Sequence, residues 1–78
     1  MPKSTKDRLK MRTAGALNMM DRSIVHLVSL YETFEPTHAE YAEFLDLIIT
    51  NSLQTREFIL DFWAKAWGSR PDDYRDWL

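Results

Sequence analysis

One strong break interrupts the interior of this 78-residue chain, and it is Glu35-Pro36. Proline fixes its own φ, removes a backbone donor and disfavours helix at the residue before it. A second break, Gly68-Ser69-Arg70-Pro71, lies near the C-terminal end. The chain is therefore cut into two long uninterrupted segments and a short tail. With 2 Gly and 3 Pro in total, too little turn chemistry remains for a many-stranded sheet.

Both long segments carry a helical period. In the first, Leu17, Met20, Ile24, Leu27, Tyr31 and Phe34 recur at alternating spacings of three and four, an a/d seam. Ser4, with Asp7 three residues on, reads as its start. The spacing predicts a helix over 5–33, behind a basic extension at 1–4. Ala14, Gly15 and Ala16 are small and adjacent within it. A glycine in a helix interior costs about 1 kcal/mol relative to alanine, so a close approach by another backbone is expected there.

The second segment starts with Pro36 in a first turn, or with Thr37 as N-cap and Glu40 at N3. Tyr41, Leu45, Ile48, Ile59, Phe62 and Ala66 share a seam, and Gly68 suits the position just past a helix end. This predicts a helix over 37–67. Phe44, Leu47, Ile49, Leu53, Phe58, Leu60, Trp63 and Trp67 spill far beyond that seam. Two equal helices with a short link read as an all-α antiparallel hairpin in a single domain. The tail, 69–78, has room for one more turn, with Tyr74, Trp77 and Leu78 as its apolar anchors.

A chain this short buries only about 60% of the surface its unfolded form exposes. It has no cysteine, so neither disulfides nor thiolate-bound metal can staple it. One neighbouring helix covers one stripe, and the second helix is apolar around more than half its girth. The expected remedy is self-association, two hairpins forming a four-helix bundle as a homo-oligomer, dimer or higher. No apolar run approaches the ~18 residues of a membrane span, and Asp21 and Arg22 interrupt the stretch after the basic start. A cytoplasmic protein without membrane association is expected.

Charge is unevenly placed. Residues 1–12 carry five bases against one acid, while 13–78 carry five bases against eleven. Lys3, Lys6, Arg8, Lys10 and Arg12 oppose the dipole of the helix they begin. They are candidates for holding a nucleic-acid backbone. The plainer expectation is neutralisation. The hairpin folds the arm towards Glu57, Asp61, Asp72, Asp73 and Asp76, in surface pairs worth about 0–1 kcal/mol each. The arm lacks the interleaved aromatics of single-strand binders.

Catalytic constellations find little support. Glu32-x-x-Glu35 and Glu40-x-x-Glu43-x-x-Asp46 are similar to the carboxylate pairs with which all-α nucleoside triphosphate pyrophosphohydrolases hold magnesium. Those pairs sit inside two facing helices with a longer spacer, whereas these flank a proline. The helix dipole alone accounts for acids in a first turn. Glu35-x-x-His38 resembles half of a di-iron carboxylate motif, but it occurs once and is broken by Pro36. His26 and His38 are too far apart in sequence to chelate from one face. There is no cysteine, no glycine-rich phosphate loop and no G-x-S-x-G, so neither an enzyme nor a cofactor is expected.

Two other groups remain. A polar stretch, Thr50 to Arg56 apart from Leu53, interrupts the second helix level with Asn18, Asp21 and Arg22 of the first. It reads as a polar layer that fixes register. Alternatively it is a small-ligand pocket for an anion or nucleotide, with Asn18, Arg22, Asn51, Gln54 and Arg56 as its contacts. The aromatic end, Trp63, Trp67, Tyr74, Trp77 and Leu78, is either core or a protein-partner site, since Trp and Tyr are favoured hot-spot residues. Tyr74 is expected to dock and Trp77 to stay partly exposed. The reading is a non-enzymatic helical protein-binding module, a regulator, adaptor or inhibitor of the kind found in phage and mobile elements. A nucleic-acid-binding hairpin dimer and a ligand-sequestering oligomer are the alternatives.

Overall fold

A computed structural model describes residues 5–78. Helix α1 spans Thr5–Phe34, helix α2 spans Ala39–Trp67, and a 3-10 turn, Tyr74–Trp77, closes the chain. Among the described residues there is no strand. The helices pack antiparallel into a hairpin measuring 54 × 23 × 17 Å. No helix among these residues is long and apolar enough to cross a membrane. Lys3 and Ser4, named above as a phosphate contact and a helix start, lie outside the described residues.

The link around Pro36 is longer than a cap at Thr37 would make it. The backbone N–H groups of Thr37 and His38 both donate to the Phe34 carbonyl, at 3.2 and 2.7 Å, carrying the turn past the proline. His38, not Thr37, is the N-cap of α2, and its side chain caps nothing. Its imidazole instead bonds the Thr37 hydroxyl at 2.9 Å and stacks on Tyr41, with ring centroids 5.6 Å apart. The helix therefore begins two residues later than expected.

At the other end of α2 the glycine reading holds. Gly68 has φ of +93° and donates its N–H to the Ala64 carbonyl at 2.8 Å. Only glycine takes that left-handed conformation without a Cβ clash. Gly15 is different: a Cβ placed on it would meet nothing within 4 Å. No backbone approaches it within the hairpin, contrary to the expectation above.

The core lies at one end. Ala14 and Leu17 of α1, Trp63 of α2 and Tyr74 of the last turn are buried, with Ile59, Leu60, Trp67 and Trp77 packed around them. Leu17 is fully buried, and Leu17, Met20, Ile24, Leu27, Tyr31 and Phe34 are all buried or half-buried, as their period implies. In α2 the inward face is offset from the expected seam. Ala42, Leu45, Ile49, Ser52, Arg56, Leu60, Trp63 and Trp67 turn towards α1, at spacings of three and four. Tyr41, Ile48 and Phe62, placed on the inner seam by period alone, are exposed. The small residues Ala42 and Ser52 allow close helix approach, which decides between two apolar faces that the spacing leaves equivalent.

Candidate interaction surface

Polar and aromatic locks hold the ends together. Asp21, one turn after Leu17, receives two partners. Arg56 of α2 donates from Nε at 2.6 Å to one carboxylate oxygen, and the Tyr74 hydroxyl donates to the other. Both Asp21 and Arg56 are about a quarter exposed, so the pair is partly desolvated. The expected polar layer thus exists, but its working members are Asp21 and Arg56. Ser52 is half-buried beside them, while Asn51, Gln54 and Thr55 face solvent.

The proposed ligand contacts are accordingly separated. Asn18 and Arg22 line an open cleft of about 260 Å³ with His26 and Arg75. Asn51 and Gln54 lie outside it, and Arg56 is engaged by Asp21. No group of three or more His, Asp or Glu side chains among the described residues could hold a metal ion.

One residue of the basic arm, Lys10, meets rings, in a cleft that Asp72, Asp73 and Asp76 also line. Lys10 Nζ lies 4.8 Å from the centroid of Trp77 and 5.7 Å from that of Trp67, within cation–π range. Glu57 and Asp61, two of the acids expected to neutralise the arm, are instead taken by Arg70 from the segment that follows α2. Hydrogen bonds to Asp61, then to Glu57, hold the Arg70 guanidinium above its ordinary pKa. Lys6, Arg8 and Arg12 are exposed on α1.

The aromatic end is mainly interior. Trp63 and Tyr74 are buried, and Trp67 and Trp77 are half-buried. The Trp63 and Trp67 rings meet edge-on at 4.9 Å, and Trp77 reaches Trp63 at 6.5 Å. The Asp73 carboxylate caps the last turn by accepting from the Arg75 N–H at 2.9 Å. Of the five residues assigned to a partner site, only Leu78 is largely exposed. Tyr74 docks and Trp77 keeps one side in water, beside a cleft of about 270 Å³ that Lys10, Arg70 and Asp76 also line.

What the fold leaves open is the outer face of α2. Phe44, Phe58 and Phe62 are 66%, 62% and 56% exposed, and Tyr41, Leu47 and Ile48 are also in water. The positions 41, 44, 48, 51, 55, 58 and 62 alternate by three and four, a second unbroken seam with Asn51 and Thr55 at its middle. Met19 and Leu30 of α1 are exposed too. At 100° per residue, Met19 and Leu30 are rotated from the inner face of α1 in the same sense as the outer seam is from that of α2, while Val25, also exposed, lies on the opposite flank. Because the helices run antiparallel, both stripes come to one side of the hairpin. The last turn packs on the other flank of α1, against Lys10 and Met11 and with Tyr74 on Asp21.

Compared with known proteins, the chain matches no protein-family model, no curated sequence and no solved structure. The surface is therefore read on its chemistry alone.

Proposed function

We propose that this protein is a small non-enzymatic interaction module that binds a helical protein surface through the outer seam of α2. The observation that supports it is the row Phe44, Ile48, Phe58 and Phe62, side chains between 46% and 66% exposed at coiled-coil spacing. Exposed apolar clusters of this kind on one helix face, here joined through the polar pair Asn51 and Thr55, mark a protein interface. Helix-in-groove and helix-on-helix recognition read anchors at such positions. The occupied or bridged partner would be displaced or recruited, as befits a regulator, adaptor or inhibitor.

A Phe44→Glu/Phe58→Glu variant tests this. The tagged wild type should capture protein, its own untagged copy included, from nuclease-treated lysate at high salt. The variant, with unchanged helical circular dichroism, should not. Capture that persists in the variant removes the seam from the mechanism. Capture that needs intact nucleic acid and falls steeply with salt would favour the exposed arm, Lys6, Arg8 and Arg12, as the working surface.

A further inference from the structure

We infer that the occupant of the outer seam is a second copy of this chain, with α2 packed antiparallel on α2 about a two-fold axis level with residue 53. This rests on the seam being the interaction surface proposed above, and names what covers it.

Area is the first argument. The hairpin exposes 5970 Å², whereas a compact monomer of 9.3 kDa exposes about 5000 Å². The excess is of the order that one partner buries in a standard stable interface, about 800 Å². The seam can supply it. Each of its aromatics would lose on the order of 100 Å², half the burial of a core aromatic. The exposed side chains of α1 on the same side, Met19 and Leu30, add to this.

Register is the second. In an antiparallel pair, a positions face d positions. Residues whose numbers are mirrored about 53 then form layers: Phe44 on Phe62, Ile48 on Phe58, and Asn51 on Thr55, each twice by symmetry. In these layers each apolar residue meets an apolar one, and the polar pair meets itself. The Thr55 hydroxyl already donates to the Asn51 backbone carbonyl at 2.9 Å. Its oxygen is left to accept, and the Asn51 side-chain amide of the second copy can donate to it. One polar layer among apolar ones specifies register in helical pairs.

Charge is the third. The next layer outward places Lys65 of one copy on Tyr41 of the other, with Glu40 alongside. Opposite charges therefore meet at both ends of the seam. A parallel pairing would instead set Lys65 against Lys65, which repels. On α1 the same axis falls near Ser23, because Asp21 lies level with Arg56. Small Ala16 then faces Leu30 of the second copy, so the α1 helices can close over the pair.

The chain has no cysteine, so single-cysteine variants report register directly. Asn51→Cys and Thr55→Cys proteins, mixed and oxidised, should give chiefly the mixed disulfide, since only that pairing is opposed across the axis. Light scattering of the wild type should give twice 9.3 kDa, and Phe58→Glu should halve that mass. If Phe58→Glu proves unfolded by circular dichroism, the cross-links decide alone. Predominance of either single-variant disulfide means a different packing and overturns the inference. A monomeric wild type also overturns it. If that monomer still captures another protein through Phe44 and Phe58, the interaction reading survives; if it captures none, both fail.

Discussion

The Tyr74 hydroxyl donates to the Asp21 carboxylate, joining residues 53 positions apart, while Arg56 holds the other oxygen of the same carboxylate. One acid thus ties both helices to the closing turn. Tyr74→Phe removes one bond to a charged group and is expected to cost about 1.5–3 kcal/mol in urea unfolding. Asp21→Ala strands Arg56 in a partly desolvated site as well, so its cost should reach about 3 kcal/mol or more. The double-mutant cycle should show coupling of about 1–2 kcal/mol. Simple additivity would mean that the hydroxyl and the carboxylate do not act on each other.

Lys10 holds its ammonium over two indoles. Lys10→Met keeps much of the stem and loses the charge, so the expected loss is about 0.5–1 kcal/mol, and Lys10→Arg should retain most of the stability. If Lys10 served only as a solvated charge, both variants would melt like the parent.

The tryptophans should rank by burial. Trp63, 4% exposed and central to the core, should cost about 3–5 kcal/mol as Trp63→Ala. Trp77, half-buried with a face in the cleft, should cost about half as much. Its fluorescence should remain partly quenchable by iodide in a variant whose other tryptophans are phenylalanine. Equal costs, or a fully shielded Trp77, would contradict the packing described.

The two glycines should respond in opposite senses. Gly68→Ala forces a Cβ into left-handed backbone and should destabilise by about 1 kcal/mol. Gly15→Ala meets open space in a helix interior and should stabilise by about 0.5–1 kcal/mol. Destabilisation by Gly15→Ala would reveal a backbone contact that the single hairpin does not contain, and thermal melts distinguish the cases.

The hairpin itself was legible because Pro36 and Gly68 are conformational constraints, felt by the chain before any packing. The inner face of α1 was legible for a similar reason: only Leu17 to Phe34 forms an apolar stripe that runs unbroken at three and four. α2 offers two stripes a step apart, Ala42-Leu45-Ile49 and Tyr41-Phe44-Ile48, and period alone cannot rank them. The small side chains of Ala42 and Ser52 were the available signal. Lys10 was read by its charge, although with Ala14 and Leu17 it extends the α1 seam backwards at four and three. The bond from Tyr74 to Asp21 had no local signal, since residues 69–73 carry no period that would aim the last turn.

The aromatic core includes Tyr74, and this sets an order of events in folding. The helical hairpin closes through contacts near Pro36 and can form early, because short loops close fast. Trp63 and Trp67 then wait for a segment that must fold back along the last part of α2, from Trp67 to the level of Arg56, to reach Asp21. Until it arrives, two indoles stand uncovered on a preformed helix pair. That species is the one at risk of sticking to its neighbours. Substitutions that weaken the Tyr74 dock should therefore lower soluble yield more than their cost in equilibrium stability suggests.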